Sequence, residues 1–115
     1  MKEAVEPFVH FVRSSRFYTE QAAQKTVERG ELVLFDGSRL VAYESKMGTK
    51  FKYAYQWMNV KNETVYRWDN TPHFPQFDTY PYHRHVGPAE IAEPFPMVSL
   101  PDILRFITDQ LANRT

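Results

Sequence analysis

The sequence predicts a single α+β domain over residues 1–115: an N-terminal helix, an antiparallel meander of about four to five strands, a long His/Pro-rich loop and a C-terminal helix packed on the sheet. Three observations carry this. Asp36-Gly37 sits between the apolar runs ELVLF and RLVAYE, and Asp-Gly tolerates the positive φ of a tight hairpin turn. Phe51, Tyr53, Tyr55 and Trp57 alternate with Lys52, Ala54, Gln56 and Met58, which is the period of a strand. Ser99, Pro101 and Asp102 open a segment in which Ile103, Leu104, Ile107 and Leu111 recur at helical spacing.

The elements follow in order. Val5, Phe8, Val9 and Val12 make a helical stripe within residues 2–14, with Pro7 in the first turn and His10 pointing away to the surface. Residues 16–29 give a weak signal. Gln21 to Glu28 suits a helix by composition, and a strand leading into the hairpin is the alternative. In the hairpin, Leu32 and Leu34 face one side and Val33 and Phe35 the other, so it is expected in the middle of a sheet or covered on both faces. Met47-Gly48-Thr49 turns the chain into the aromatic strand, and Lys61-Asn62 turns it again. On the partner strand, residues 63–69, Thr64, Tyr66 and Trp68 share one face and Val65, Arg67 and Asp69 the other. Beyond Asn70, Pro72, Pro75, Pro81 and Pro88 each remove a ladder donor and imply a long loop, with a short extended piece around residues 82–86.

Composition narrows the classes. A chain of 115 residues with 43% apolar content can bury one core. Formal net charge is zero, without the basic excess of a dedicated duplex-DNA binder. The absence of cysteine excludes disulfides and thiolate metal sites. No run approaches a membrane span, and the N-terminus lacks the long apolar core of a signal peptide, so a cytoplasmic location is expected.

Chemistry concentrates between Arg67 and Gly87, which hold His73, His83 and His85 together with Asp69, Asn70, Arg67 and Arg84. In an extended backbone His83 and His85 point the same way. Three readings fit these residues. Imidazoles and a carboxylate can hold zinc. Two histidines can instead serve as base and acid in metal-free cleavage of RNA by its own 2′-hydroxyl, with Arg67, Arg84 and Lys52 stabilising phosphate charge. The third reading is structural: Asp69-Asn70-Thr71-Pro72 is a turn sequence, and histidines commonly satisfy loop carbonyls. The aromatic face containing Tyr55 reads as core beneath a helix, with a base-stacking platform as the alternative.

At these same residues the sequence resembles the TumE-type toxin components of bacterial and archaeal toxin–antitoxin pairs. An R-[YFW]-D-N-x-P-H segment corresponds to Arg67, Trp68, Asp69, Asn70, Pro72 and His73. A following T-[FY]-P-[HY]-H-[KR]-H-x-G segment corresponds to Thr79, Tyr80, Pro81, His83, Arg84, His85 and Gly87. Lys52, Tyr53, Tyr55 and Trp57, and the Asp-Gly hairpin, fit the family too, so the similarity runs over residues 24–112. Tyr82 departs from it, standing where a further histidine is common. The resemblance implies a small α+β toxin of a type II system, related to the RelE-like mRNA interferases and paired with a helix-turn-helix antitoxin. The expected catalytic residues are then His83, His85, His73 and Asp69, and the expected substrate-binding residues Arg67, Asn70, Arg84, Lys52 and Tyr55, with no metal and no cofactor. The expected partners are an RNA substrate and the antitoxin, with no membrane; an open strand edge would allow a homodimer. A non-catalytic binding module and a His-metal hydrolase are the alternatives.

Overall fold

A computed structural model describes residues 1–113, and these form one seven-stranded antiparallel sheet covered on one face by helices. The elements are α1 (Lys2–Val5), a 3₁₀ turn (Glu6–Phe11), β1 (Val12–Gln21), β2 (Thr26–Leu34), β3 (Arg39–Met47), β4 (Lys50–Met58), β5 (Thr64–Asp69), β6 (His83–Val86), β7 (Ile91–Pro94) and α2 (Leu100–Ala112). Spatial order equals chain order, so the sheet is a pure meander with β1 and β7 at its edges.

The expected four to five strands are corrected to seven. The N-terminal helix is only one α turn followed by a 3₁₀ turn, with Pro7 inside the latter, and Val9 is exposed rather than part of a buried stripe. Val12 already belongs to β1. That strand carries few apolar residues because it pairs on one side only and is largely exposed. The helix suggested for residues 21–28 gives way to the end of β1 and the start of β2. The long His/Pro-rich loop is likewise corrected: only residues 70–82 form a loop, and residues 83–94 are a hairpin. Pro72, Pro75 and Pro81 precede that hairpin, Pro88 lies in its turn, and Pro94 ends an edge strand, where a missing donor is tolerated.

Leu32, Leu34, Leu40, Ala42, Tyr53, Tyr55, Trp57 and Trp68 line the covered face, and Leu100, Ile103, Leu104 and Ile107 of α2 pack onto them with Val5. The aromatic face of β4 is therefore core. Phe106 sets its edge against Trp57, Tyr66 and Trp68 at centroid distances of 6.4, 5.4 and 5.8 Å. The central hairpin does lie inside the sheet, yet its second face is not covered: Phe35 is 59% exposed. Among the described residues no helix is long and apolar enough to cross a membrane.

The α2 cap is a complete box. Ser99 Oγ accepts from the Asp102 backbone N–H, and the Asp102 carboxylate accepts from the Ser99 N–H. The Ser99 bonds hold the Asp102 carboxyl below its usual range. A depressed carboxyl contributes stability present above its unfolded value and lost as pH falls through the folded one. Urea midpoints of the parent and Asp102→Asn at pH 6 and pH 3 are expected to differ at pH 6 and to converge at pH 3.

Candidate functional site

The uncovered face of the sheet carries the chemistry. Cross-strand partners in an antiparallel pair share a face, and the register pairs Asp69 with His83 and Arg67 with His85. It also sets Ala54 opposite Asp69 and Tyr43 opposite Ala54. All of these side chains therefore point away from α2, and with Lys52, Thr71, His73 and Phe74 they line an open pocket of about 370 Å³. Ala54 is small, which leaves room in front of Asp69.

Inside the pocket Asp69 is the meeting point. Its Oδ1 lies 2.9 Å from His83 Nε2 and its Oδ2 3.6 Å from His85 Nε2. Arg67 Nε lies 3.5 Å from Oδ2, and Arg67 Nη1 lies 2.9 Å from Glu90 in the β6–β7 turn. Asp69, His83 and His85 are all buried, at 4%, 2% and 8% exposure. These are close polar contacts rather than aligned hydrogen bonds: His83 Nε2, Arg67 Nε and Glu90 Oε1 are buried without a hydrogen-bond partner.

The other imidazole nitrogens are settled by backbone. His83 Nδ1 is 3.1 Å from the Pro81 carbonyl, and His85 Nδ1 is 3.0 Å from the Glu90 carbonyl. A carbonyl only accepts, so each Nδ1 carries the hydrogen and each Nε2 faces Asp69. Phe74 closes one side, its ring 4.8 Å from His83 and 5.9 Å from His85, and stacks on Phe77 at 5.1 Å. His73 is exposed at the pocket wall, as is Lys52.

Of the residues expected at the site, the pocket gathers His83, His85, His73, Asp69, Arg67 and Lys52. Three lie elsewhere. Tyr55 is buried on the covered face, its hydroxyl donating to Glu44 at 2.6 Å, and burial pushes that hydroxyl's pKa up. Arg84, between the two histidines, projects to the opposite face, where it lies over the rings of Tyr66 and Phe95 and pairs with Glu93. Asn70 is a clamp: its Oδ1 accepts from the Tyr53 N–H at 3.0 Å and its amide donates to the Phe51 carbonyl at 2.8 Å. Asn70→Ala is expected to lower stability by about 0.5–1.5 kcal/mol through the loss of these bonds, one part-buried and one exposed. A urea-midpoint shift smaller than the scatter of replicate curves would count against the clamp.

Sequence reasoning missed Glu90, Phe74 and Tyr43. Tyr43 was reachable, since the hairpin and aromatic-strand registers place it opposite Ala54. Tyr82, where the family pattern commonly has another histidine, faces the core and stacks on Tyr53 with 6.5 Å between centroids. The departure therefore takes nothing from the pocket.

A family model described as Toxin TumE matches residues 2–111. No curated protein and no solved structure matches the chain.

Proposed function

The chain belongs to the TumE toxin family, and from that premise we propose that it arrests growth by cleaving RNA in the uncovered-face pocket. The observation that carries the reading is the convergence of His83 and His85 on Asp69 within an open pocket also lined by Arg67 and Lys52. Arg67 and Lys52 supply positive charge for a phosphodiester and for the charge that grows on it during attack. Phe74 and Tyr43 line the same pocket and are the aromatic groups available there to flanking bases, as single-stranded RNA recognition requires. His73, exposed at the wall, is placed to protonate a leaving 5′-oxygen.

A division of labour in which His83 and His85 act as base and acid on opposite sides of one phosphate does not suit this geometry. Both Nε2 atoms point at the same carboxylate, and His83 is closed to solvent. The pair and Asp69 act together, preparing the attacking oxygen.

The same proposal includes a type II antitoxin of helix-turn-helix class that covers the toxin, kinship with RelE-like mRNA interferases, and work in the cytoplasm. It also allows a homodimer through the exposed edge of β1, whose unpaired backbone groups could add to a second copy. The direct test is to induce the chain in cells, map new 5′ ends in total RNA at the moment growth stops, and repeat with the antitoxin co-expressed. New ends are expected in RNA, none in DNA, and none with the antitoxin. Arrest with intact RNA would overturn the cleavage reading and leave a toxin that works by binding.

A further inference from the structure

We infer that Asp69, His83 and His85 form a binding site for one divalent transition-metal ion, against the metal-free expectation from the sequence. The inference deepens the RNA reading in that it rests on the same pocket.

One ligand atom from each of the three residues lies within 4.8 Å of the other two. Zinc-like ions sit about 2.0–2.2 Å from imidazole nitrogen and carboxylate oxygen, which sets neighbouring tetrahedral ligands roughly 3.4 Å apart. The contacts to Asp69, 2.9 and 3.6 Å, bracket that spacing.

The orientation of the rings is the stronger observation. Each Nδ1 lies against a backbone carbonyl, of Pro81 and of Glu90, so in the neutral ring it is Nε2 that turns its lone pair inward. Anchoring the far nitrogen on a carbonyl is how metal-binding histidines are held in tautomer and angle. With both rings neutral, two imidazole lone pairs face the oxygens of a buried carboxylate, and only a cation between them makes the contact favourable. His83 Nε2 in particular is a buried polar atom lacking a hydrogen-bond partner, which native structures rarely tolerate. A cation between the three groups gives every one of these atoms a partner.

The surroundings agree in charge. Asp69 and Glu90 face the single guanidinium of Arg67, which Glu90 draws to its own side, and the other cation, Lys52, stands at the exposed rim. Two imidazoles and one carboxylate select zinc, cobalt, iron or manganese over magnesium and calcium, which prefer oxygen. The pocket in front leaves a position for water or a phosphate oxygen, the layout of a catalytic rather than a structural site.

The test is to strip the purified 115-residue chain of metal and titrate it with Zn²⁺ and, separately, Co²⁺. One ion per chain, visible Co²⁺ bands of a low-coordinate site and a raised melting temperature are expected. Asp69→Asn and His85→Gln, each checked for folding by circular dichroism, are expected to lose affinity on the order of 100-fold or more. His10→Gln, at an exposed histidine outside the pocket, should bind as the parent does. No binding by the folded parent overturns the site, as does equal binding by parent and folded variants. RNA cleavage that persists in chelator by a protein that binds no ion overturns the site and leaves the RNA reading standing. Tight one-to-one binding together with intact RNA in arrested cells does the reverse.

Discussion

Asp69→Asn is expected to abolish growth inhibition while the chain stays folded. The substitution keeps shape and removes only the charge at the point where His83, His85 and Arg67 meet. Folding should survive because an amide still offers an oxygen toward Arg67 and places an N–H beside the free His83 Nε2, which can accept it. Function should not survive. The carboxylate is the negative charge on which both imidazoles and the guanidinium converge, and losing one preorganised charge in a site of this kind costs on the order of 10²–10³ in rate. If the same carboxylate is a metal ligand, the loss is larger. Arrest after induction is the readout, with the urea midpoint confirming the fold. Asp78→Asn, at an exposed carboxylate of the same loop, is the control and should remain toxic. A folded Asp69→Asn protein that arrests growth like the parent would remove the pocket from the explanation of toxicity.

How much of this site could be read in advance follows from the range over which each signal acts. The central hairpin, the aromatic strand and the helix cap are written in adjacent residues: Asp36-Gly37, the alternation from Phe51 to Trp57, and Ser99 with Asp102. All three form where expected. β1 carries no such mark, because an edge strand with mostly solvated side chains has almost no apolar alternation to display. Of the β6–β7 hairpin only the first strand is legible, as the extended piece around residues 82–86; Pro88 in the turn and Pro94 at the end of β7 mask the rest.

Period-two alternation also assigns faces to the residues between these positions. The rule that sets His83 and His85 together sends Arg84 to the other side, and the rule that makes Tyr55 core sends Lys52 to the pocket. Arg84 therefore shares no face with His83 and His85, and Tyr55 shares none with Lys52. Glu90 and Phe74 were out of reach for another reason. They arrive from a turn and a loop, and only tertiary packing brings them to Asp69 and the histidines.

Trp68→Ala is the second large effect, and it concerns the scaffold beneath the site. Trp68 is 1% exposed, stacks on Tyr66 at 5.5 Å and receives the edge of Phe106 at 5.8 Å. Truncating a tryptophan in such a position costs about 3–5 kcal/mol through lost burial and the cavity left behind. Whole domains of this kind have only about 5–15 kcal/mol in hand. The urea midpoint, followed by circular dichroism because a fluorophore is lost, should fall steeply; Trp68→Phe should recover part of the loss. The consequence for function comes from position in the chain. Arg67 and Asp69 flank Trp68 on β5, so the residue fastened to α2 on one face sets the backbone from which the pocket's charges project on the other. Toxicity should therefore fall in Trp68→Ala even at temperatures where the chain is still folded, because a contact of 2.9 Å to His83 depends on where β5 is held. Full toxicity in a folded but strongly destabilised Trp68→Ala protein would show that the pocket keeps its geometry without the core contact that anchors its strand.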